Sequence, residues 1–176
     1  MEDRVDIVIE YDKYKSLNDN KKTAYIFDMD GTLADVSGIL HYIKKSFDDS
    51  PEEKFTKKFQ LFHSEGVNVP PHQEAVDLLN FAKDAGHHIL VVTARREMWR
   101  PHTSMWLALN NIYSDALFMR NNHDNRKDYE IKQDILNHIL QLWDVVHAVD
   151  DNPKVIKLWE ENGIPTTKIG TWDGND

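Results

Sequence analysis

The chain reads as an α/β protein, a parallel β-sheet with helices on both faces. Two observations lead there. Short apolar runs of strand length alternate with segments of helical periodicity, the pattern of strand–helix–strand units. Strands that alternate with helices imply a parallel sheet covered on both faces. Polar residues able to do chemistry gather just after these runs, and in open parallel sheets ligands bind outside the carboxyl ends of the strands. With 176 residues and 40% hydrophobic content, one domain with a proper core is expected.

Taken in order, Val5-Asp6-Ile7-Val8-Ile9 alternates weakly and reads as an edge strand, and Ser16 to Lys22 as a polar loop. Thr23 to Phe27 is the first core strand. Residues 34–70 interrupt the alternation with two short amphipathic helices, Ile39 to Phe47 and Glu52 to His63. Phe55, Phe59 and Phe62 form one stripe there, and aromatics at helical spacing usually pack into a core. The insertion follows the first polar loop, so it is positioned to serve as a small cap. Pro71 to Ala85 is a helix with Ala75, Leu78, Leu79 and Ala82 on one face, ended by Gly86. His88 to Val92 is a β-branched strand. Thr103 to Ile112 is a helix striped by Met105, Trp106, Leu109 and Ile112. Ala116 to Met119 is a strand, and Asp128 to Leu140 a helix with Ile131, Ile135 and Ile139 in register. Val145 to Val149 is a strand, Pro153 to Asn162 a helix stopped by Gly163, and Thr166 to Ile169 a last short strand.

Composition excludes several classes. Without cysteine there is no disulfide, thiolate metal site or thiol nucleophile. No apolar run approaches the ~20 residues of a membrane span, and the acidic start Met1-Glu2-Asp3-Arg4 lacks a signal-peptide core. The cytoplasm is the expected compartment. A net charge of −9 disfavours tracking along nucleic acid. The local cations Arg95-Arg96, Arg100 and Arg126-Lys127 leave a phosphorylated strand end or a small phosphate ester open. No H-E-x-x-H or G-x-S-x-G pattern occurs, so neither a histidine metal site nor a serine triad is expected.

The most informative motif is Asp28-Met29-Asp30-Gly31-Thr32, directly behind the first core strand. Two carboxylates two residues apart on a loop suit an aspartate nucleophile, a second aspartate for proton transfer, and a magnesium ion bridging their charge. Gly31 comes too early for a calcium loop of the EF-hand type; an ordinary acidic turn is the plainer alternative. Later strands end on Thr93 and Arg95, on Arg120, and on Asp150-Asp151. Asp128 and Lys132 open the helix before the strand that leads to Asp150.

That order resembles the haloacid-dehalogenase superfamily of phosphotransferases over roughly residues 23–170. A closer resemblance lies in Met105-Trp106-Leu107, Leu117-Phe118-Met119-Arg120, Asn125-Arg126-Lys127-Asp128 with Lys132, the Thr93-Ala94-Arg95 step, and Val155-Ile156-Lys157-Leu158-Trp159 with Gly163-Ile164. These are similar to the phosphatase domain of bacteriophage polynucleotide kinase–phosphatase. The resemblance implies a single Rossmann-like domain over residues 1–176, with 34–70 as a cap-like insertion. It also implies a magnesium-dependent phosphatase acting on the 3′-phosphate of DNA or RNA ends. There are two departures. The family places a substrate-holding arginine nine residues after the second motif aspartate, where this chain has Ile39. The G-x-x-x-x-G-K-[ST] kinase motif is absent from the sequence, so a kinase or ligase would be a separate partner.

By that resemblance Asp28 is the nucleophile and Asp30 the acid and base, crowded carboxylates lifting its pKa toward the working range. Thr93 donates to a phosphoryl oxygen. Lys132 pairs with Asp28 and the transferred phosphate, with Lys127 the competitor. Magnesium is held by Asp28, the Asp30 carbonyl, Asp150 and, through water, Asp151. Arg95, Asp128 and Arg126 serve the substrate, and Arg95 and Arg120 together are placed to bind the scissile and the next backbone phosphate. Asp150-Asp151-Asn152-Pro153 also fits a helix N-cap. Two other functions compete: a phosphatase of small esters such as a nucleotidase, and a catalytically silent phosphate- or metal-binding module.

Overall fold

The computed structural model describes residues 21–43 and 53–172, with side chains from 57 onward in the second segment. The expected strand Val5–Ile9, most of the loop at 16–22 and the second half of the expected helix at 39–47 lie outside the described residues.

Five strands form one sheet: β1 Lys22–Phe27, β2 His88–Arg96, β3 Ala116–Arg120, β4 Trp143–Asp150 and β5 Thr166–Lys168. Their order is β3-β2-β1-β4-β5, and every pairing is parallel. The helices are α1 Glu53–Glu65, α2 Gln73–Asp84, α3 Arg100–Leu109, α4 Asp128–Leu142 and α5 Pro153–Glu161. The chain winds outward from β1 through β2 to β3, then returns to place β4 on β1's other side. A crevice therefore opens at the carboxyl ends of β1 and β4, where strand order reverses.

Alternation along the strands builds two cores. Ala24, Ile26, Leu90, Val92 and Ala148 face α4 and α5, packing on Leu136, Ile139, Val155 and Trp159. Phe27, Ile89, Val91 and Val149 face the other way, onto Leu79, Trp106 and Leu107. Both faces of the central strands β1 and β2 are covered, which is why Ile26, Phe27 and Leu90 to Val92 form unbroken apolar runs. Phe62, Ile39 and Val69 from the 34–70 segment join this second core. Phe59 meets Phe62 edge-on at 6.5 Å. Of the expected helix at 39–47, only a 3-10 turn, Leu40–Tyr42, falls within the described residues.

Most bounds shift by a residue or two, and two differences bear on the site. α3 begins at Arg100 rather than Thr103, because Pro101 fits a first turn, where no N–H is required. Its inward residues are Thr103, Trp106 and Leu107, whereas Met105 and Leu109 are 54% and 65% exposed. Hydrogen bonds to other segments hold that rotation: Trp106 Nε1 donates to the Val69 carbonyl at 2.8 Å, and Thr103 Oγ1 accepts from Arg95 Nη1 at 3.1 Å. β2 runs on to Arg96, with a register shift between Thr93 and Arg96 against β3. Such a bulge re-aims the side chains it carries.

The helix rotation is directly testable. Leu107→Ala should lower unfolding free energy by about 2–5 kcal/mol through transfer and cavity terms, while Leu109→Ala should stay within about 0.5 kcal/mol. Urea denaturation followed by circular dichroism decides; equal losses would mean that the apolar stripe, not the hydrogen bonds, orients α3.

Candidate active site

Asp28 leaves β1 with its N–H still donating to the Val149 carbonyl at 2.9 Å, so it stands where the sheet ends. The loop then folds back: Gly31 and Ala34 donate to the carbonyls of Ala34 and Met29, each at 2.9 Å. Gly31 has φ +83°, and a Cβ there would overlap the Asp151 carboxylate. Gly170 has φ +93°, and its Cβ would overlap the Gly31 carbonyl. Glycine is required twice, by conformation and by space.

A buried lysine joins the carboxylates. Lys132 Nζ, on the inward face of α4, donates to Asp28 Oδ1 at 2.7 Å and to Asp150 Oδ2 at 2.8 Å. Thr32 Oγ1 lies 3.3 Å from Asp28 Oδ2 and 3.4 Å from Asp151 Oδ1. Burial works against the Lys132 charge, but Asp150 and Asp28 outweigh it and hold the ammonium well above its ordinary pKa. Asp28 is pushed well above the carboxylate range, first by burial and then by Asp150 and Asp151, although Lys132 opposes the rise. Burial and Asp150 lift Asp151 to about 7. Asp28, Asp150 and Asp151 each bring an oxygen within 4.8 Å of the others. An all-oxygen, crowded anionic set of this kind suits magnesium, and a divalent cation would relieve the repulsion that raises these carboxyls.

Asp30 behaves differently. Arg95 grips it with two donors, Nε to Oδ2 at 2.8 Å and Nη2 to Oδ1 at 2.5 Å. Burial would raise its carboxyl, but the guanidinium outweighs burial and holds it below the ordinary range. The upward shift expected for Asp30 is thus found at Asp28 and Asp151. With its carboxylate engaged, Asp30 has its main-chain carbonyl left to offer a cation.

Arg95 is buried by the β2 bulge and also donates to Thr103 Oγ1 at 3.1 Å. Its fork faces Asp30 rather than an open groove. Thr93 is buried, and its Oγ1 accepts from the Arg95 N–H at 3.2 Å. Arg120, expected beside a phosphate, is instead an internal brace. It donates to the Ala94 carbonyl that the bulge frees at 2.8 Å, to the carbonyls of Asp124 and Arg126, and to Asp128 Oδ1. Asp128 is thereby occupied. Arg126 lies at the surface, paired with Asp124 and Asp134 at 2.7 Å each. Lys127 is exposed, and its N–H takes the Glu130 carboxylate at the start of α4; the lysine that reaches the aspartates is Lys132. The N-cap of α5 is Asn152, which accepts from the Lys154 N–H at 3.0 Å, so both aspartates remain in the site. Ile39 packs in the core, and a Cβ at Gly66 would meet both Ile39 Cδ1 and Arg95 Nη2, at 3.7 and 3.8 Å.

The comparisons fit this geometry. The family model for the polynucleotide kinase PNKP phosphatase domain matches residues 68–173, more than half of the chain. The chain belongs to that family. The matched stretch takes in Thr93, Arg95, Lys132, Asp150 and Asp151, and the fold adds Asp28 and Asp30 to them. A putative bifunctional polynucleotide kinase/RNA ligase of Autographa californica nuclear polyhedrosis virus is 24% identical over 159 residues, 89% of this chain and 20% of that protein. A chain of the Pnkp1/Rnl/Hen1 RNA repair complex superposes with a TM-score of 0.71 at 25% identity, covering 89% of this chain and 45% of that one. The class C acid phosphatase from Bacillus anthracis with tungstate bound has a TM-score of 0.65 at 14% identity, over 93% and 72% of the two chains. This chain thus spans a fifth of the curated relative and about half of the repair-complex chain. Among the described residues no helix is long and apolar enough to cross a membrane.

Asp151 makes the carboxylate crowding measurable. Its folded pKa of about 7 exceeds the unfolded ~3.9. Between those values the folded chain keeps a proton that the unfolded chain has released, so stability falls as pH rises through the window. In chelator, the melting temperature of Asp151→Asn relative to wild type should climb from about pH 4 to pH 7 and level off above. A difference that stays constant over that range would reject the crowding.

Proposed function

We propose that this domain is a magnesium-dependent phosphatase that removes the 3′-phosphate from a DNA or RNA end through an aspartyl-phosphate. The observation that carries the reading is Lys132 bridging Asp28 and Asp150 at the crevice beside β1 and β4. Phosphoryl transfer asks mainly for positioning and charge neutralisation. An Asp28 carboxylate oxygen attacks phosphorus, and the bond to the leaving 3′ oxygen breaks. Asp30, protonated for this half, gives its proton to that oxygen. A water then attacks the acyl phosphate, returns a proton to Asp30 and releases inorganic phosphate. Magnesium, held by Asp28, the Asp30 carbonyl, Asp150 and Asp151, would neutralise the crowded carboxylates and the phosphoryl oxygens.

The Arg95–Asp30 pair sets the order of events. With Arg95 in place Asp30 is ionised, the form that accepts a proton from water. When a phosphoryl oxygen draws the guanidinium away, the Asp30 carboxyl rises and can carry the proton that the leaving oxygen needs. Lys132 steadies the Asp28 anion, and Thr93 donates to the phosphoryl group. Residues 34–70 would serve as a small cap, and 1–176 as one domain. The kinase/ligase relative and the repair-complex neighbour support pairing with a kinase or ligase, and a cytoplasmic setting accords with the composition.

A second reading, a phosphatase of small esters such as nucleotides, has one observation in its favour: several of the described cations are already paired with carboxylates of this chain. Arg126 is tied to Asp124 and Asp134, Arg100 to Glu97 and Arg95 to Asp30. On the other side, a shallow, open surface depression of about 740 Å³, lined by Asn121, His123, Asp124, Asn125 and Arg126, follows β3. The complete acidic set argues against a silent module.

Asp28→Asn should reduce phosphate release by at least about 10³-fold, as expected when a covalent nucleophile is lost, and chelator should abolish wild-type turnover while the circular dichroism spectrum persists. Release near the wild-type rate from the variant, or full activity in demetallated buffer, contradicts the mechanism. Side by side, a 3′-phosphorylated oligonucleotide should exceed a 5′-phosphorylated one and mononucleotides in kcat/KM by about 10- to 100-fold, the worth of one or two charge-assisted contacts. If mononucleotides are turned over best, the small-ester reading replaces this one.

A further inference from the structure

One arginine differs from the rest. Four of the five described arginines face a carboxylate: Arg95 with Asp30, Arg100 with Glu97, Arg120 with Asp128, and Arg126 with Asp124 and Asp134. Arg96 is the fifth, half-buried at the carboxyl end of β2. Its Nη1 donates to the Asn122 carbonyl and its Nη2 to Asn125 Oδ1 at 2.6 Å. Both acceptors are neutral, so among the described residues no carboxylate pairs with this guanidinium.

After the bulge that turns Arg95 inward, β2 resumes its pairing with β3 at Arg96, opposite Arg120. Arg96 thereby reaches the turn that follows β3. Hydrogen bonds fix that turn: Asn121 Oδ1 accepts from the His123 N–H at 3.0 Å, Asn122 Oδ1 from the Met98 N–H at 2.8 Å, and Asp124 Oδ1 from the Arg126 N–H at 3.0 Å. Asn125, the partner of Arg96, lines the depression of about 740 Å³ together with Asn121, His123, Asp124 and Arg126. Asn121, His123 and Asn125 are exposed, so groups that both donate and accept hydrogen bonds face solvent there. A surface held ready in this way loses little order on binding.

The charge and its position select an anion on a strand. Arg96 stands three residues beyond Thr93, a chain distance of ~10 Å at most. A strand whose terminal phosphate meets Thr93 can lay its next phosphate on Arg96. A guanidinium fork matches two phosphate oxygens, and such charge-assisted bonds are roughly twice as strong as neutral ones. A phosphate at Arg96 would displace only the neutral acceptors Asn122 and Asn125. At Arg100, Arg120 or Arg126 it would first have to break an ion pair.

Resting on the reading of this domain as a 3′-end phosphatase, we propose that Arg96 binds the phosphodiester joining the last two nucleotides, with the turn at 121–126 receiving the strand beside it. Arg96 is then a specificity-determining residue. It selects a polynucleotide end over a small ester, which has no second phosphate to offer, and it takes no part in the bond-breaking steps.

The test compares kcat/KM on two 3′-phosphorylated oligonucleotides that differ only in the last internucleotide linkage, a phosphodiester in one and an uncharged methylphosphonate in the other. Wild type and Arg96→Gln are measured side by side. Wild type should favour the charged linkage about 10-fold, the low end for a hydrogen bond to a charged group, as fits a half-buried side chain. The ratio should fall toward one in the variant, because the pair of changes isolates their interaction. If Arg96→Gln does not fold, Arg96→Lys carries the comparison, and loss of the fork should at least halve the ratio. A wild-type ratio of one, or a ratio that the variant leaves unchanged, overturns the role of Arg96 and leaves the 3′-end reading standing. Failure of wild type to release phosphate from either oligonucleotide, while mononucleotides are hydrolysed, overturns that reading and this one with it.

Discussion

Everything in the crevice depends on one buried cation. Lys132 lies at 2% exposure between Asp28 and Asp150. Burial and crowding lift Asp28 and Asp151 even beside it, and removing one partner of a buried pair leaves an uncompensated charge. The lysine is reached only because α4 lies across the sheet face that carries Leu90, Val92 and Ala148. The packing of that apolar face therefore fixes the electrostatics of the polar edge. Desolvation makes the arrangement costly, and the same desolvation makes every charge in it act strongly on whatever enters.

Asp30 and Asp28 come from one motif, two residues apart, yet their environments divide them. Asp28 is lifted by burial and by the anions beside it; Asp30, although burial would raise it, sits in the Arg95 fork and is lowered. The bulge in β2 is the cause, since it turns Arg95 inward and frees the Ala94 carbonyl that Arg120 then satisfies. A local irregularity in one strand thus separates the behaviour of two nearly adjacent carboxylates. Pairs whose environments push their pKa values apart are what acid–base chemistry needs.

Much of this was legible in the sequence, for identifiable reasons. The strands were found because burial on both faces leaves apolar runs, and Asp28, Thr93, Asp150 and Asp151 were found because they sit at or beside the ends of those runs. Lys132 was legible by its spacing from Asp128, although Asp128 turned out to face Arg120. What could not be read depends on contacts between distant elements. The rotation of α3 is set by Trp106 reaching Val69, so a stripe drawn through Met105 and Leu109 pointed outward. Arg95 and Arg120 looked like free cations because nothing local announces the bulge that occupies them. Arg96 stands beside Arg95 in the chain, yet which of the two finds a carboxylate is a property of the folded environment alone.

The fit of Gly31 against Asp151 and Gly170 ties the Asp28–Thr32 loop to a segment far along the chain. During synthesis β1 and its loop emerge early, but the surface that shapes the loop arrives only with the residues after β5. Contacts between such remote segments form late, once the intervening chain has folded. Asp28 therefore stays without its finished surroundings until the sheet is complete, so a competent crevice would mark the end of folding rather than any stage along the way.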